Sequence, residues 1–388
     1  MELSCEHAFD VFRFVGQYVP FTPADEVTLM NPLLQVREQG QQIWLDNLSR
    51  TLLNEGQLAR FIAEDGVAGI TTNPSIFHKA IADGRYYEDD LAALKAQPMA
   101  AETRYEHLVI PDVQRACDLL RPVFDDSKGN AGYVSLEVSP ALADDADGTV
   151  AAGLRLKTAV DRANLLIKVP ATAAGLIAIE RLIGAGVSVN VTLMFSLKHV
   201  EAVASAYLKG LERLQASGGD VSSVMSVASV FLSRVDTLID KQLDERGGEA
   251  LSLRGKAAVS MCRLAYQQYR ARFHGPAFAS LRAAGARPQY LLWASTGTKN
   301  PAYSDLLYVE SLIGPETVNT LPDATLAALL DHGRVARTLE TGLDDARRVL
   351  DELNRLGIDM TQAGERLQAE GLRQFEQAFA QLLALTAD

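Results

Sequence analysis

From about residue 41 onward the chain alternates short runs rich in Val, Ile and Leu with longer stretches in which apolar residues recur every three or four positions. Alternation of this kind predicts repeated βα units built on a parallel sheet. Eight strand-like runs are present, at 43–47, 69–73, 133–138, 165–169, 187–193, 225–230, 290–295 and 317–321. After the fifth run, Ser196 is placed to cap a helix whose apolar stripe is Leu197, Val200, Val203, Tyr207, Leu211 and Leu214, and Gly218 with Gly219 ends it. Eight strands, each followed by such a helix, predict an α/β fold of the closed (β/α)8 barrel type with additional helices; an open, doubly wound sheet is the alternative.

A barrel of this kind takes about 250 residues, and the chain has 388. The surplus falls in three places. Residues 1–29 precede the first unit and are read as an N-terminal extension. Residues 74–132, between the second and third runs, have room for more than one helix, and 335–387 reads as long terminal helices able to pack across a barrel end. With no repeat, low-complexity tract or Pro-rich linker to divide it, 30–388 is read as a single domain.

The strands are less uniformly apolar than buried parallel strands usually are. In Val-Ser-Val-Asn-Val-Thr-Leu at 187–193, a period of two puts the valines on one face and Ser188, Asn190 and Thr192 on the other. Valines suit the side facing the helices, so the polar set points into the barrel. The same split places Ser135 with Glu137, sets Asp46 opposite Ile43 and Leu45, and sets Lys168 opposite Leu165, Ile167 and Val169. Barrel active sites are assembled at the C-terminal ends of the strands. Asp46, Asn73, Glu137, Lys168, Asn190, Thr192, Ser229 and Ser295 are therefore expected to converge on one bowl.

Such a bowl suits amine chemistry. Desolvation inside an apolar strand disfavours the ammonium form of lysine and makes a neutral amine available. A neutral amine attacks a ketone to form a Schiff base, which accepts electrons as the neighbouring carbon–carbon bond breaks. Proton transfers are needed at several steps, and Glu137 and Asp46 supply carboxylates for them. Asn73, Asn190, Thr192 and Ser229 are side chains that hold a polyol and fix the angle of attack. For an anionic end, Arg234 lies just past the sixth run, and Lys299 lies in Ser-Thr-Gly-Thr-Lys-Asn-Pro at 295–301, where glycine permits close backbone approach and proline can open a helix. Plainer readings exist for each residue alone: a structural Lys168 paired with a carboxylate, Asn73 as a turn residue before Pro74, Asn190 and Thr192 satisfying one another, Arg234 and Lys299 as solvated cations. The set carries the functional reading.

Charge sharpens the expectation about ligands. With 37 Lys and Arg against 49 Asp and Glu, the net charge of -12 opposes binding to nucleic acid or an anionic membrane, so a phosphate must be held by local cations. Cys5, Cys117 and Cys262 have neither disulfide-framework nor zinc spacing, which points to a reducing cytoplasm. The six histidines show no ligand spacing, so metal-dependent chemistry is not expected. No run approaches the roughly 18 apolar residues of a membrane span, and no signal peptide is visible. Monomer and homodimer both stay open.

Several segments, in order along the chain, resemble signatures of the transaldolases, a group of class I Schiff-base aldolases: Ile-Trp-Leu-Asp46-Asn-Leu, Gly-Ile-Thr-Thr-Asn73-Pro-Ser, Leu-Glu137-Val-Ser-Pro, Ile-Lys168-Val-Pro-Ala-Thr and Asn190-Val-Thr192-Leu-Met-Phe-Ser. Ser229-Val-Phe-Leu-Ser-Arg234 and Ala-Ser295-Thr-Gly-Thr-Lys299-Asn are similar to the longer-chain bacterial branch, whereas shorter members tend to carry arginine where Lys299 falls. The resemblance runs from about residue 30 into the terminal helices. It implies that Lys168 forms the Schiff base, that Asp46 is the acid–base group in bond cleavage, and that Glu137 with Thr192 positions a water for imine formation. It further implies that Asn73, Asn190 and Ser229 hold a dihydroxyacetone unit and that Arg234 and Lys299 hold a phosphate. The implied reaction moves that unit from sedoheptulose 7-phosphate or fructose 6-phosphate to glyceraldehyde 3-phosphate or erythrose 4-phosphate, in the non-oxidative pentose phosphate pathway, without a cofactor. A plain aldolase that releases dihydroxyacetone and a catalytically silent sugar-phosphate-binding barrel are the competing expectations.

Overall fold

The eight apolar runs form eight parallel strands: β1 (Gln41–Leu45), β2 (Gly69–Ile70), β3 (Tyr133–Glu137), β4 (Leu165–Pro170), β5 (Val189–Met194), β6 (Ser226–Phe231), β7 (Tyr290–Ala294) and β8 (Thr317–Leu321). The structure, a computed structural model, describes residues 31–387. The N-terminal extension expected at 1–29 and the expected domain start at Met30 lie outside the described residues. The strands are ordered as in the sequence, and β1 pairs with β8 from Gln41 opposite Thr317 to Leu45 opposite Leu321. That last ladder closes the barrel and removes the open-sheet alternative.

Helix α1 (Pro32–Glu38) precedes β1, and between the strands run α2 (Arg50–Asn54), α3 (Gln57–Ala63), α4 (Pro74–Ala82), α5 (Glu88–Lys95), α6 (Ala101–Asp126), α7 (Ala146–Val160), α8 (Ala173–Gly184) and α9 (Leu197–Ala216). They are followed by α10 (Ser233–Arg246), α11 (Ala257–Phe273), α12 (Ala279–Ala283), α13 (Leu307–Glu310), α14 (Asp323–His332), α15 (Leu343–Arg355) and α16 (Met360–Thr386). The expected surplus is visible: α4, α5 and α6 fill the 74–132 segment, and α15 and α16 follow the barrel. The expected helix after the fifth strand is α9, with the Ser196 hydroxyl accepting from the His199 amide at 3.2 Å. A cap of this kind stabilises a helix by about 1 kcal/mol.

Two strand ends differ from the sequence pattern for local reasons. The second run stops at Ile70 because Asn73 leaves the sheet to cap α4, its side chain accepting from the Ile76 amide. The fifth strand reaches Met194 through an irregularity between Val191 and Met194, where Leu193 takes a positive φ of 59°. That conformation is uncommon for a residue with a side chain.

The alternation sorts the two sides of the barrel wall as expected. A Cβ added at Gly153 of α7 would meet the Leu182 and Ile167 side chains, so Ile167 faces the helices and its neighbour Lys168 faces inward. At the opposite side, the Trp44 indole lies over Gly69, where any Cβ would stand 2.5 Å from the ring. α16 packs against α4, α6 and β5, and buries Leu367, Phe375, Phe379 and Leu382. Each such side chain contributes roughly 1.5–3 kcal/mol of burial, which holds the last helix against the barrel.

Candidate active site

Sheet register places three inward residues on one level. Glu137 pairs with Lys168 across β3 and β4, and Lys168 pairs with Asn190 across β4 and β5. The Lys168 amine donates to the Thr72 carbonyl at 2.9 Å and stands 3.5 Å from Glu137 Oε2. Only 5% of Lys168 is exposed. Burial pushes the Glu137 carboxyl up to about 7, with the Lys168 charge pulling the other way and Asp46 adding to the rise. Asp46, just past β1, accepts from the Thr71 hydroxyl at 2.6 Å. Burial raises its pKa as well, against the pull of Lys168 and of the Thr71 hydrogen bond. One amine thus shares a buried site with two carboxylates that both hold protons more tightly than in water, a setting for proton transfer near neutral pH.

A cavity of about 190 Å³ opens over this group at the C-terminal end of the barrel. Seven of the expected residues line it: Asp46, Asn73, Lys168, Thr192, Ser229, Arg234 and Ser295. Thr192 is fully buried and its hydroxyl has no hydrogen-bond partner among the described residues, so it is free to bond to something in the cavity. Asn190 is sealed beneath, donating to the Ser135 hydroxyl at 2.9 Å and accepting from the Ser229 hydroxyl at 2.7 Å. It therefore satisfies Ser229, and Thr192 is left over. Glu137 also lies outside the lining, behind the amine it contacts.

The two cations expected for an anion are placed differently. Arg234, in the first turn of α10, lines the cavity with its guanidinium 5.5 Å over the Phe231 ring. Burial lowers its pKa, and it forms no ion pair among the described residues. A half-buried cation with no ion-pair partner among the described residues is a ready acceptor of an anion. Ser295, which has a positive φ of 55°, bonds the Ser233 hydroxyl at 2.8 Å and ties β7 to the start of α10. Lys299 is exposed and lines a separate recess with Asp236, Asp240 and Asp244. It is not brought to the central cavity, because the loop beyond β7 is drawn to α10 by hydrogen bonds from Tyr303 to Asp240 and from Tyr308 to Asp236. Among the described residues no cluster of His, Cys, Asp and Glu is arranged to hold a metal, and no helix is long and apolar enough to cross a membrane.

A family profile described as transaldolase/fructose-6-phosphate aldolase matches residues 43–386. The chain belongs to this family. It is 56% identical over 356 residues to a transaldolase of Thiobacillus denitrificans, a match covering 92% of this chain and 99% of that protein. A transaldolase of Neisseria gonorrhoeae is 49% identical over 355 residues, with the same coverage, and "Transaldolase 1" of Streptomyces coelicolor is 47% identical over 365 residues, covering 94% of this chain and 96% of that one.

Within this transaldolase-family site, other lining residues escaped the sequence reading. Thr71 and Ser75 flank Asn73 in a segment already singled out, and Thr320 stands near the end of the eighth run; Thr71 and Thr320 share a 2.7 Å hydrogen bond. Their signal was present, as polar residues at strand ends. Phe375 carried none. It lies on α16, about two hundred residues beyond Lys168, and its ring centroid is 5.8 Å from the Lys168 amine.

Proposed function

We propose that this chain is a transaldolase, transferring a dihydroxyacetone unit from a ketose phosphate (sedoheptulose 7-phosphate or fructose 6-phosphate) to an aldose phosphate (glyceraldehyde 3-phosphate or erythrose 4-phosphate) through a Schiff base on Lys168. The observation that carries this reading is the buried amine beside Glu137, electrostatically coupled to Asp46, in a polar cavity whose wall includes an arginine with no ion pair among the described residues.

In this reading the Lys168 nitrogen adds to the ketone carbon. A water held by Glu137 and the Thr192 hydroxyl moves the protons that turn the carbinolamine into an iminium ion, and a carboxyl that titrates near 7 can both give and take them. Asp46 then accepts the proton of the C4 hydroxyl as the C3–C4 bond breaks. The aldose phosphate leaves, an enamine remains on the lysine, and the steps run backwards onto the acceptor. Asn73, whose carbonyl oxygen caps α4, offers its amide N–H groups to the polyol, and Ser229, fixed by Asn190, offers its oxygen. We assign the phosphate to Arg234 and Ser295, with Lys299 contributing longer-range charge from the rim. Sugar phosphates are thus the partners of this site. The two buried free thiols, Cys117 and Cys262, fit work in a reducing cytoplasm.

The test is borohydride reduction in the presence of fructose 6-phosphate, followed by peptide mapping. A three-carbon adduct on Lys168 is expected, and its absence from Lys168→Ala. An unmodified Lys168 peptide in the wild-type protein overturns the reading.

A further inference from the structure

α16 crosses the mouth of the barrel, and one of its side chains hydrogen-bonds to the ends of two catalytic strands. Gln368 Nε2 donates to two backbone carbonyls, Ala171 at 2.9 Å and Leu193 at 3.0 Å. Ala171 follows β4, the strand of Lys168, and Leu193 follows Thr192 in β5. Leu193 is also the residue with the positive φ, at the point where the β5–β6 register shifts. Non-glycine residues persist in that conformation only where surrounding contacts impose it, and the Gln368 bond is one such contact.

The helix backbone is pressed close on either side of this glutamine. A Cβ at Gly364 would stand 2.7 Å from Ser196 Cβ, and one at Gly371 would stand 2.9 Å from Leu193 Cδ2 and 3.3 Å from Arg234 Nη1. Two turns beyond Gln368, on the same helix face, comes Phe375, whose ring lines the cavity above Lys168. Apolar contacts alone allow a helix to slide or roll. Two directional hydrogen bonds from one amide to two different strands fix its register.

We propose that Gln368 is a positioning residue that latches α16 to the ends of β4 and β5, so that Phe375 covers the Lys168 adduct and governs whether the bound three-carbon unit is transferred or released. This inference rests on the transaldolase reading. After cleavage, the enamine carbon has two fates. In transfer, it forms a carbon–carbon bond with the acceptor aldehyde, whose oxygen takes a proton. In release, the same carbon takes a proton from solvent, giving an iminium ion; water adds to the iminium carbon and the C–N bond breaks, leaving free dihydroxyacetone and the protonated amine of Lys168. Release thus consumes one proton and one water. An apolar ring over the adduct keeps solvent from the carbon that both routes use.

The experiment compares wild type, Gln368→Met and Phe375→Ala with fructose 6-phosphate as donor, measuring free dihydroxyacetone and transfer to erythrose 4-phosphate in the same mixture. Methionine keeps the length and apolar stem of glutamine and removes both donors. The release-to-transfer ratio is expected to rise about tenfold in Gln368→Met, the scale set by losing two neutral hydrogen bonds, and at least as much in Phe375→Ala. A purely structural role would lower both rates together and leave their ratio unmoved. An unchanged ratio in folded Gln368→Met overturns the latch. Should that variant not fold, an unchanged ratio in Phe375→Ala overturns the cover and the latch with it. Borohydride trapping runs alongside: no adduct on wild-type Lys168 defeats the transaldolase reading itself, whereas an adduct with an unchanged ratio defeats only this inference.

Discussion

Glu137 shows how one residue's surroundings become a measurable property. Its carboxyl is moved from the ordinary 4.5 to about 7, chiefly by burial, with Lys168 3.5 Å away limiting the rise. The folded protein therefore holds this proton more tightly than the unfolded chain does. The resulting stability is fully present below about pH 4.5 and is lost as pH rises through about 7. We expect the stability of wild type relative to Glu137→Gln to fall by roughly 3 kcal/mol across that window, read from denaturant midpoints of both proteins; parallel curves would contradict the assigned environment. Thr192 makes the complementary case. Its buried hydroxyl has no partner among the described residues, so Thr192→Val should leave stability unchanged or raise it by about 1 kcal/mol. If the hydroxyl helps hold the water of imine formation, borohydride trapping in a single turnover should slow roughly ten- to a hundredfold in the same variant. At this scale the sequence was informative about which residues point inward and mute about how each is satisfied. Asn190 and Thr192 look alike in the alternation, yet one is held by Ser135 and Ser229 and the other has no partner among the described residues.

Among the elements, β4 and α8 show how a strand end is held in place. Thr172 caps α8, accepting from the Gly175 amide at 2.9 Å, and bonds the Ala143 carbonyl with the same hydroxyl. A Cβ at Gly175 would overlap the Pro170 carbonyl, which is rigid backbone at the end of β4. Alanine is the better helix former by about 1 kcal/mol, but the overlap can be relieved only by moving α8 or the strand. Gly175→Ala should therefore destabilise the protein by roughly 2 kcal/mol despite the propensity gain, measured by chemical denaturation; a stabilised variant would show that α8 yields freely. The cap at Ser196 was legible, since it precedes a helical pattern and needs only local backbone geometry, whereas the cap at Asn73 was hidden by its place at the end of a strand-like run before Pro74. The docking of α16 was not. Its periodicity announces a helix, but which strands it crosses is set by distant surfaces, and Gln368 reads in sequence as one more polar residue.

For the molecule as a whole, the chemistry depends on closure. The β1–β8 ladder joins residues 276 apart, from Gln41 to Thr317, and brings Asp46 round to the side of the barrel where Thr320 and Thr71 stand. The net charge of -12 is distributed over the chain, while one cation lining the cavity, Arg234, is half-buried and forms no ion pair among the described residues; anion binding is decided by that local exception to the global field. The sequence by itself determined the barrel and its inward polar residues, because period-two alternation and strand-end position are local properties that any closed parallel barrel converts into convergence at one rim. Only the tertiary structure decided that Lys168 is wedged between Glu137 and the Thr72 carbonyl, that Lys299 turns to an acidic recess, and that Phe375 arrives from the last helix to cover the amine. Those outcomes depend on which surfaces meet after closure, and a one-residue shift turns a helical side chain by about 100°, so no local pattern could specify them.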